Sequence, residues 1–112
     1  MSISRQPRAR RAPPGGLPTI RLLVAADRYD WTEKVQIAIE EGWFQPEDLE
    51  CCIAAGVVTK TKRDKAGISV GQKIYTILGP DCSGCMFYTA GKIIEDAEGQ
   101  AYFFITARRS RR

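Results

Sequence analysis

Two thiols at C-x-x-C spacing, in Asp81-Cys82-Ser83-Gly84-Cys85, are the sharpest chemical feature of the chain. In a tight turn such a pair can bite one metal ion or cycle between dithiol and disulfide. It is half of a tetrahedral metal site. With no His in the chain, Cys51, Cys52 or carboxylates would have to supply the rest, and adjacent residues such as Cys51 and Cys52 point about 100° apart on a helix. A thioredoxin-like role places the motif at a helix N-terminus after a strand, whereas strands are expected on both sides here. The structural alternative is that Gly84 makes the turn and the cysteines are small, partly buried residues in a reducing cytosol. That alternative is the expectation: Cys82 and Cys85 are candidate ligands or a candidate redox pair, no metal is favoured and no cofactor is expected.

Acid–base chemistry has equally few candidates. Glu33, Lys34, Glu40 and Glu41 share one helical segment, and of these Glu33 and Glu41 are the candidate catalytic groups. Four such side chains are also what a solvated helix face contains. None of the ten Gly falls in a phosphate-loop or dinucleotide-binding spacing. Tyr75, Phe87, Tyr88, Tyr102, Phe103 and Phe104 lie on expected strands, where exposed rings could stack on bases. Lys92 is the only basic residue interleaved with them on the last two strands, so most of these rings are assigned to the core. Trp31 and Trp43 are expected to close its ends.

The formal charge of the 112 residues is +4, and its distribution matters more than its sum. Arg5, Arg8, Arg10 and Arg11 precede residue 19, and Arg108, Arg109, Arg111 and Arg112 close the chain; removing these eight from +4 leaves about −4 for residues 19 to 107. The expected organisation is a disordered basic tail over residues 1–18, one α+β domain over 19–108 and a basic tail over 109–112. Arg108 and Arg109 are the candidate binding residues, able to hold nucleic acid weakly and without sequence preference through released counterions. Pro13, Pro14, Gly15, Gly16 and Pro18 stand where the apolar part of a signal peptide would be, and no apolar run is long enough to span a bilayer. A cytoplasmic protein without membrane contact is expected.

The elements that must position these residues follow from spacing. Thr19 to Ala26 is an apolar run whose periodicity fits a strand or a helix equally. Trp31 to Glu41 predicts a helix capped by Asp30 or Thr32, with Val35, Ala38 and Ile39 inward and Gly42 at the left-handed position after its end. Pro46 opens a second helix with Leu49, Cys52 and Ile53 inward, and Gly56 stops it. Four strands follow, at Val57 to Lys62, Lys73 to Leu78, Met86 to Ile94 and Tyr102 to Ala107, with Arg63 to Gly67 as a charged loop and Asp96 to Gly99 as a hairpin turn. The last strand, with Phe103, Phe104 and Ile105 in succession, is expected to be buried on both faces. The fold class expected is α+β, two N-terminal helices packed on a three- to four-stranded antiparallel sheet.

This order carries a resemblance. Glu41-Gly42 after one helix, Ala55-Gly56-Val57-Val58 after the next, Tyr75-Thr76-Ile77-Leu78-Gly79 with Ser83-Gly84 beyond it, and Phe104-Ile105-Thr106-Ala107 at the end resemble the small bacterial family called domain of unknown function 4258, over roughly residues 31 to 108. That family is similar to the RelE and ParE toxins, which implies a helical hairpin on an antiparallel sheet, an antitoxin-like protein partner and RNA cleavage as a possible activity. Members commonly carry a His followed by Arg residues on the first helix, and the aligned places here hold Glu33, Ile37 and Glu41. Cleavage of RNA needs a base and an acid poised near neutral pH and cationic stabilisation of the phosphorane. Without His and with an acidic core, the expectation is a non-catalytic protein-interaction or binding module. A RelE/ParE-like ribonuclease, or a small metal-binding or thiol-redox protein using Cys82 and Cys85, are the alternatives.

Overall fold

The computed structural model describes residues 16–65 and 69–110. In chain order these form α1 (Leu17–Ala25), β1 (Tyr29–Trp31), α2 (Glu33–Glu40), α3 (Pro46–Ala55), β2 (Val57–Arg63), β3 (Lys73–Pro80), β4 (Met86–Asp96) and β5 (Gly99–Arg109). The class is α+β. The details exceed the expectation by one helix and one strand, and the sheet is mixed.

The undecided apolar run is α1. Pro18 sits in its first turn, where a missing N–H costs nothing, and Ile20 and Val24, one turn apart, are its buried residues. Leu17 and Pro18 therefore belong to a helix rather than to the expected basic tail; residues 1–15 and 111–112 lie outside the described residues. The added strand is β1, which pairs in parallel with β5 through Tyr29 with Tyr102 and Trp31 with Phe104. Trp31 is thus a strand residue and not the start of a helix. Thr32 makes the switch: its backbone N–H reaches the Phe104 carbonyl at 3.1 Å, its hydroxyl donates to the Ile105 carbonyl at 2.9 Å, and the same oxygen accepts from Val35 N as the cap of α2. Gly42 follows the end of α2 with φ 83, as expected of a left-handed stop.

The strand order is β1-β5-β4-β3-β2, antiparallel except at β1. Three helices pack on one face. Val35, Leu49, Cys52 and Ile53 from the helices meet Ile77, Phe87, Ile93, Tyr102 and Phe104 from the strands in one buried cluster. Tyr102 and Phe104 meet edge to face at 4.9 Å, as do Phe44 and Phe87 at 5.1 Å. β5 is interior, between β1 and β4, but it is not buried on both faces: Phe104 is covered whereas Phe103 and Ile105 are half-buried, because the helices cover only one side of the sheet.

Close approach of α3 to β3 requires two glycines. A Cβ on Gly56 would lie 2.4 Å from the Cys52 carbonyl oxygen, and one on Gly79 would lie 2.6 Å from the same oxygen. Neither position can carry a side chain without moving the helix end off the sheet. The expected charged loop after β2 contains a surprise in Asp64, which is buried; its carboxylate accepts from Ser69 Oγ at 2.8 Å and from Lys92 Nζ at 3.3 Å.

Candidate binding groove and cysteine turn

One end of the sheet gathers most of the residues that could do chemistry. β3 and β4 are joined there by the five residues Asp81 to Cys85, in which Gly84 N–H donates to the Asp81 carbonyl at 3.0 Å and Asp81 N–H to the Cys85 carbonyl at 2.7 Å. Gly84, at φ 93, takes the left-handed position that such a loop needs. The Asp81 carboxylate fills the loop. One oxygen accepts from Ser83 N and Cys85 N, each at 2.9 Å, and the other accepts from Arg109 Nε at 3.1 Å. Burial pushes the Asp81 carboxyl up, but the two backbone donors and the guanidinium outweigh it and hold the carboxyl below its ordinary value.

Helix α3 is tied to this turn twice. Asp48, in the first turn of α3, accepts from Gln45 N at 2.9 Å to close a capping box, and its second oxygen accepts from Cys82 N at 3.1 Å. Cys51, one turn further along α3, forms a disulfide with Cys82, with the two Cα atoms 5.4 Å apart. This corrects the expectation of unpaired thiols: Cys82 is bonded, and to Cys51 rather than to its candidate partner Cys85, which is an exposed free thiol. Spacing along the chain could not show that α3 lays Cys51 against the turn. The remaining thiol, Cys52, is buried; desolvation pushes it up to about 11, against opposing contributions from Thr89 and the Gly79 backbone. Among the described residues no group of three or more His, Cys, Asp or Glu is placed to hold a metal ion.

Arg109 connects the turn to a groove. It ends β5 rather than beginning a tail, and besides Asp81 it approaches Asp48 Oδ2 at 4.0 Å and donates to the Trp43 carbonyl. The groove, of about 530 Å³, is lined by Ala38, Trp43, Phe44, Ala107, Arg108 and Arg109. Trp43 does not close the core as expected: it is 65% exposed, with its indole N–H on Glu41 Oε1 at 3.0 Å. Phe44, the next residue, takes the core position against Phe87 instead. Arg108 lies on the far side of β5, its guanidinium carbon 4.3 Å from the centre of the Tyr88 ring.

The two candidate catalytic acids are not brought together. Glu33 begins α2 and Glu41 caps its other end, about 12 Å away along the axis at 1.5 Å per residue. Glu41 is engaged with the Trp43 indole. Of the sequence candidates, Arg109, Cys82 and Cys85 converge on the turn, and Glu41 borders the groove. The sequence assigns Trp43 to the core and Cys51 only to a possible metal set, and gives Asp48 and Asp81 no role at a site. Two signals for them were present: the Asp opening D-C-S-G-C is an acceptor for its own turn, and Gln45-Pro46-Glu47-Asp48 has capping-box spacing.

The helix-free face of the sheet offers a second depression, of about 340 Å³, with Lys60, Lys62, Thr76 and Tyr88 among its lining residues. β2 supplies the basic side chains that β4 and β5 largely lack, because its register sets Lys60 opposite Thr76 and Lys62 opposite Ile74. No family model, no curated protein and no solved structure matches this chain.

Proposed function

We propose that the chain is a non-catalytic binding module that docks an acidic, partly apolar segment of a protein partner in the groove beside Trp43. The observation that carries this is the exposed indole of Trp43 beside Arg109, in a groove whose other lining residues are Ala38, Phe44, Ala107 and Arg108. Trp and Arg are the residue types that most often dominate binding energy at protein interfaces. An indole that the core does not use, with Phe44 buried in its place, is positioned for a partner. The separation of Glu33 from Glu41 supports the absence of proton-transfer chemistry.

The relationship to the family called domain of unknown function 4258, and through it to the RelE and ParE toxins, is part of the same proposal and rests on the motifs from Glu41-Gly42 to Phe104-Ile105-Thr106-Ala107. It makes the partner antitoxin-like. The proposed location is the cytoplasm, where a disulfide beside an exposed thiol is a conditional bond rather than a permanent one.

Calorimetric titration of the full chain with a short peptide rich in Glu and Leu tests this. Trp43→Ala is expected to weaken binding by about tenfold or more, equivalent to roughly 1.4 kcal/mol, while Lys60→Ala and Lys62→Ala leave it unchanged. Equal binding by Trp43→Ala, or preferential binding of an RNA oligonucleotide lost in the lysine variants, would replace the groove by the open sheet face. A defined RNA is expected to stay intact at neutral pH. Site-specific cleavage that disappears in Glu33→Gln or Glu41→Gln would instead establish a toxin-like ribonuclease.

A further inference from the structure

We propose that Cys51, Cys82 and Cys85 form a thiol–disulfide exchange site, and that its two disulfide states decide whether Arg109 is held by Asp81 or released into the groove. The second half rests on the groove being the binding site.

Three cysteines belong to the turn and to the helix bonded to it, and only two of them are joined. Cys82 belongs to an exposed turn and is bonded to Cys51 of α3, while Cys85, three residues on and on the same turn, is an exposed thiol. The turn is closed by Asp81 N to the Cys85 carbonyl and Gly84 N to the Asp81 carbonyl. A disulfide spans a Cα separation of roughly 4.4–6.8 Å, and residues three apart in a compact turn can come within it. The other free thiol cannot compete, since Cys52 is buried beneath α3 with its sulfur against the Ile77 and Phe87 carbonyls.

The step is internally balanced. The Cys85 thiolate attacks Cys82 Sγ, the Cys82–Cys85 bond forms, the Cys51–Cys82 bond breaks, and its electron pair leaves on Cys51 as a thiolate. One disulfide is exchanged for another, the proton lost by Cys85 is matched by one gained at Cys51, and no outside oxidant or reductant is consumed.

Arg109 senses the change through Asp81. In the present state the N–H groups of Ser83 and Cys85 both point at one Asp81 oxygen, and this aims the other oxygen at Arg109. A Cys82–Cys85 bond brings the two Cβ atoms to about 3.5–4.5 Å, which turns residues 82–85 out of that arrangement. Cutting the link to Cys51 also frees the turn to leave Asp48, which now accepts from Cys82 N. Arg109 then keeps its bond to the Trp43 carbonyl and the longer Asp48 contact, and its charge, no longer balanced by Asp81, is available to an acidic ligand in the groove.

The exchange is read by peptide mass mapping. Lys60 and Lys73 lie between the cysteine pairs, so trypsin separates Cys51 from Cys82 and Cys85. A Cys51–Cys82 bond joins two peptides, whereas a Cys82–Cys85 bond lies within one. The oxidised full chain, held at pH 8 without added thiol and quenched with iodoacetamide, is expected to show the label first on Cys85 and then increasingly on Cys51, with the cross-linked pair declining in step. Cys85→Ser should keep the cross-link indefinitely. A label confined to Cys85 at all times would overturn the exchange. For the coupling, oxidised Cys51→Ser, which leaves only the Cys82–Cys85 bond at the turn, is expected to bind the Glu- and Leu-rich peptide at least about threefold more tightly than Cys85→Ser. Equal affinity would overturn the coupling. Label transfer with no peptide binding in any form would sink the groove reading and leave the exchange standing.

Discussion

Both ends of β4 are finished by an aspartate that caps its own turn and holds an arginine from elsewhere, yet one carboxylate is buried and the other is wet. At the β3–β4 turn Asp81 accepts from two backbone N–H groups and from Arg109, and its side chain is 0% exposed. At the β4–β5 turn Asp96 accepts from Glu98 N at 2.8 Å and from Arg28 at 3.0 Å, and its side chain is 46% exposed. Arg28 also reaches Glu98 and the Gln100 carbonyl. Hydrogen bonding outweighs desolvation at both carboxyls and lowers both from their ordinary value, led at Asp96 by the Glu98 N–H and the Arg28 guanidinium. The difference lies in what happens when a partner is lost. Water replaces Arg28 at Asp96 at little cost, while nothing replaces Arg109 at Asp81. A turn that cannot fall back on solvent is one whose rearrangement has consequences, and it is the turn that carries the cysteines.

The largest expected effect separates the ends covalently. Only the Asp81 end has a disulfide, which closes a loop of 31 residues. Replacing Cys51 and Cys82 together by Ser should cost about 3–4 kcal/mol on a chain-entropy account, read as a lower urea midpoint. No comparable single site exists at the Asp96 end, so a cost near zero would put the two ends on the same footing.

Next in size, Asp81→Asn is expected to lower the thermal midpoint clearly more than Asp96→Asn. Asn keeps the turn's acceptor but cannot balance the Arg109 charge. Equal losses would show that burial does not distinguish the turns. The pH dependence has a definite sign. Both folded carboxyls lie below the ordinary value of 3.8, so at and just below pH 4 the unfolded chain binds more protons than the folded one. Their contribution is complete above about pH 5 and is lost as pH falls through the depressed folded values. Acid titration of stability should therefore be shallower in Asp81→Asn than in wild type, with a smaller flattening in Asp96→Asn.

The smallest effect sharpens what burial alone means. Tyr102 lies between the two ends, and its hydroxyl is buried with no hydrogen-bond partner among the described residues; desolvation pushes its acidity far out of range. Tyr102→Phe removes an unsatisfied polar atom and should be neutral or stabilising by up to about 1 kcal/mol in urea unfolding. The same deletion logic at Asp81 has the opposite sign because Asp81 has its partners.

The local elements were legible because each has a local cause. Pro46 and Gly56 bound α3, Thr32 caps α2, Gly42 stops it, and the stripe Leu49, Cys52 and Ile53 is buried as its spacing requires. The hairpin at Asp96 to Gly99 lies where its residues place it. What was not legible depends on contacts far apart in the chain. β1 is too short to show a period, and it exists only because the parallel edge of β5 is open to it. The apolar run at α1 is a helix because Ile20 and Val24 find the core with one face. Cys51 meets Cys82, and Arg109 meets Asp81, only after α3, the β3–β4 turn and the end of β5 are packed together. The spacing of apolar, turn and charged positions along the 112 residues determined an α+β chain with an acidic centre and basic ends. Which cysteine is bonded, which tryptophan is exposed and which arginine is held were decided by the tertiary structure, since pairing across 28 to 31 residues follows from how elements pack and leaves no periodic trace along the chain.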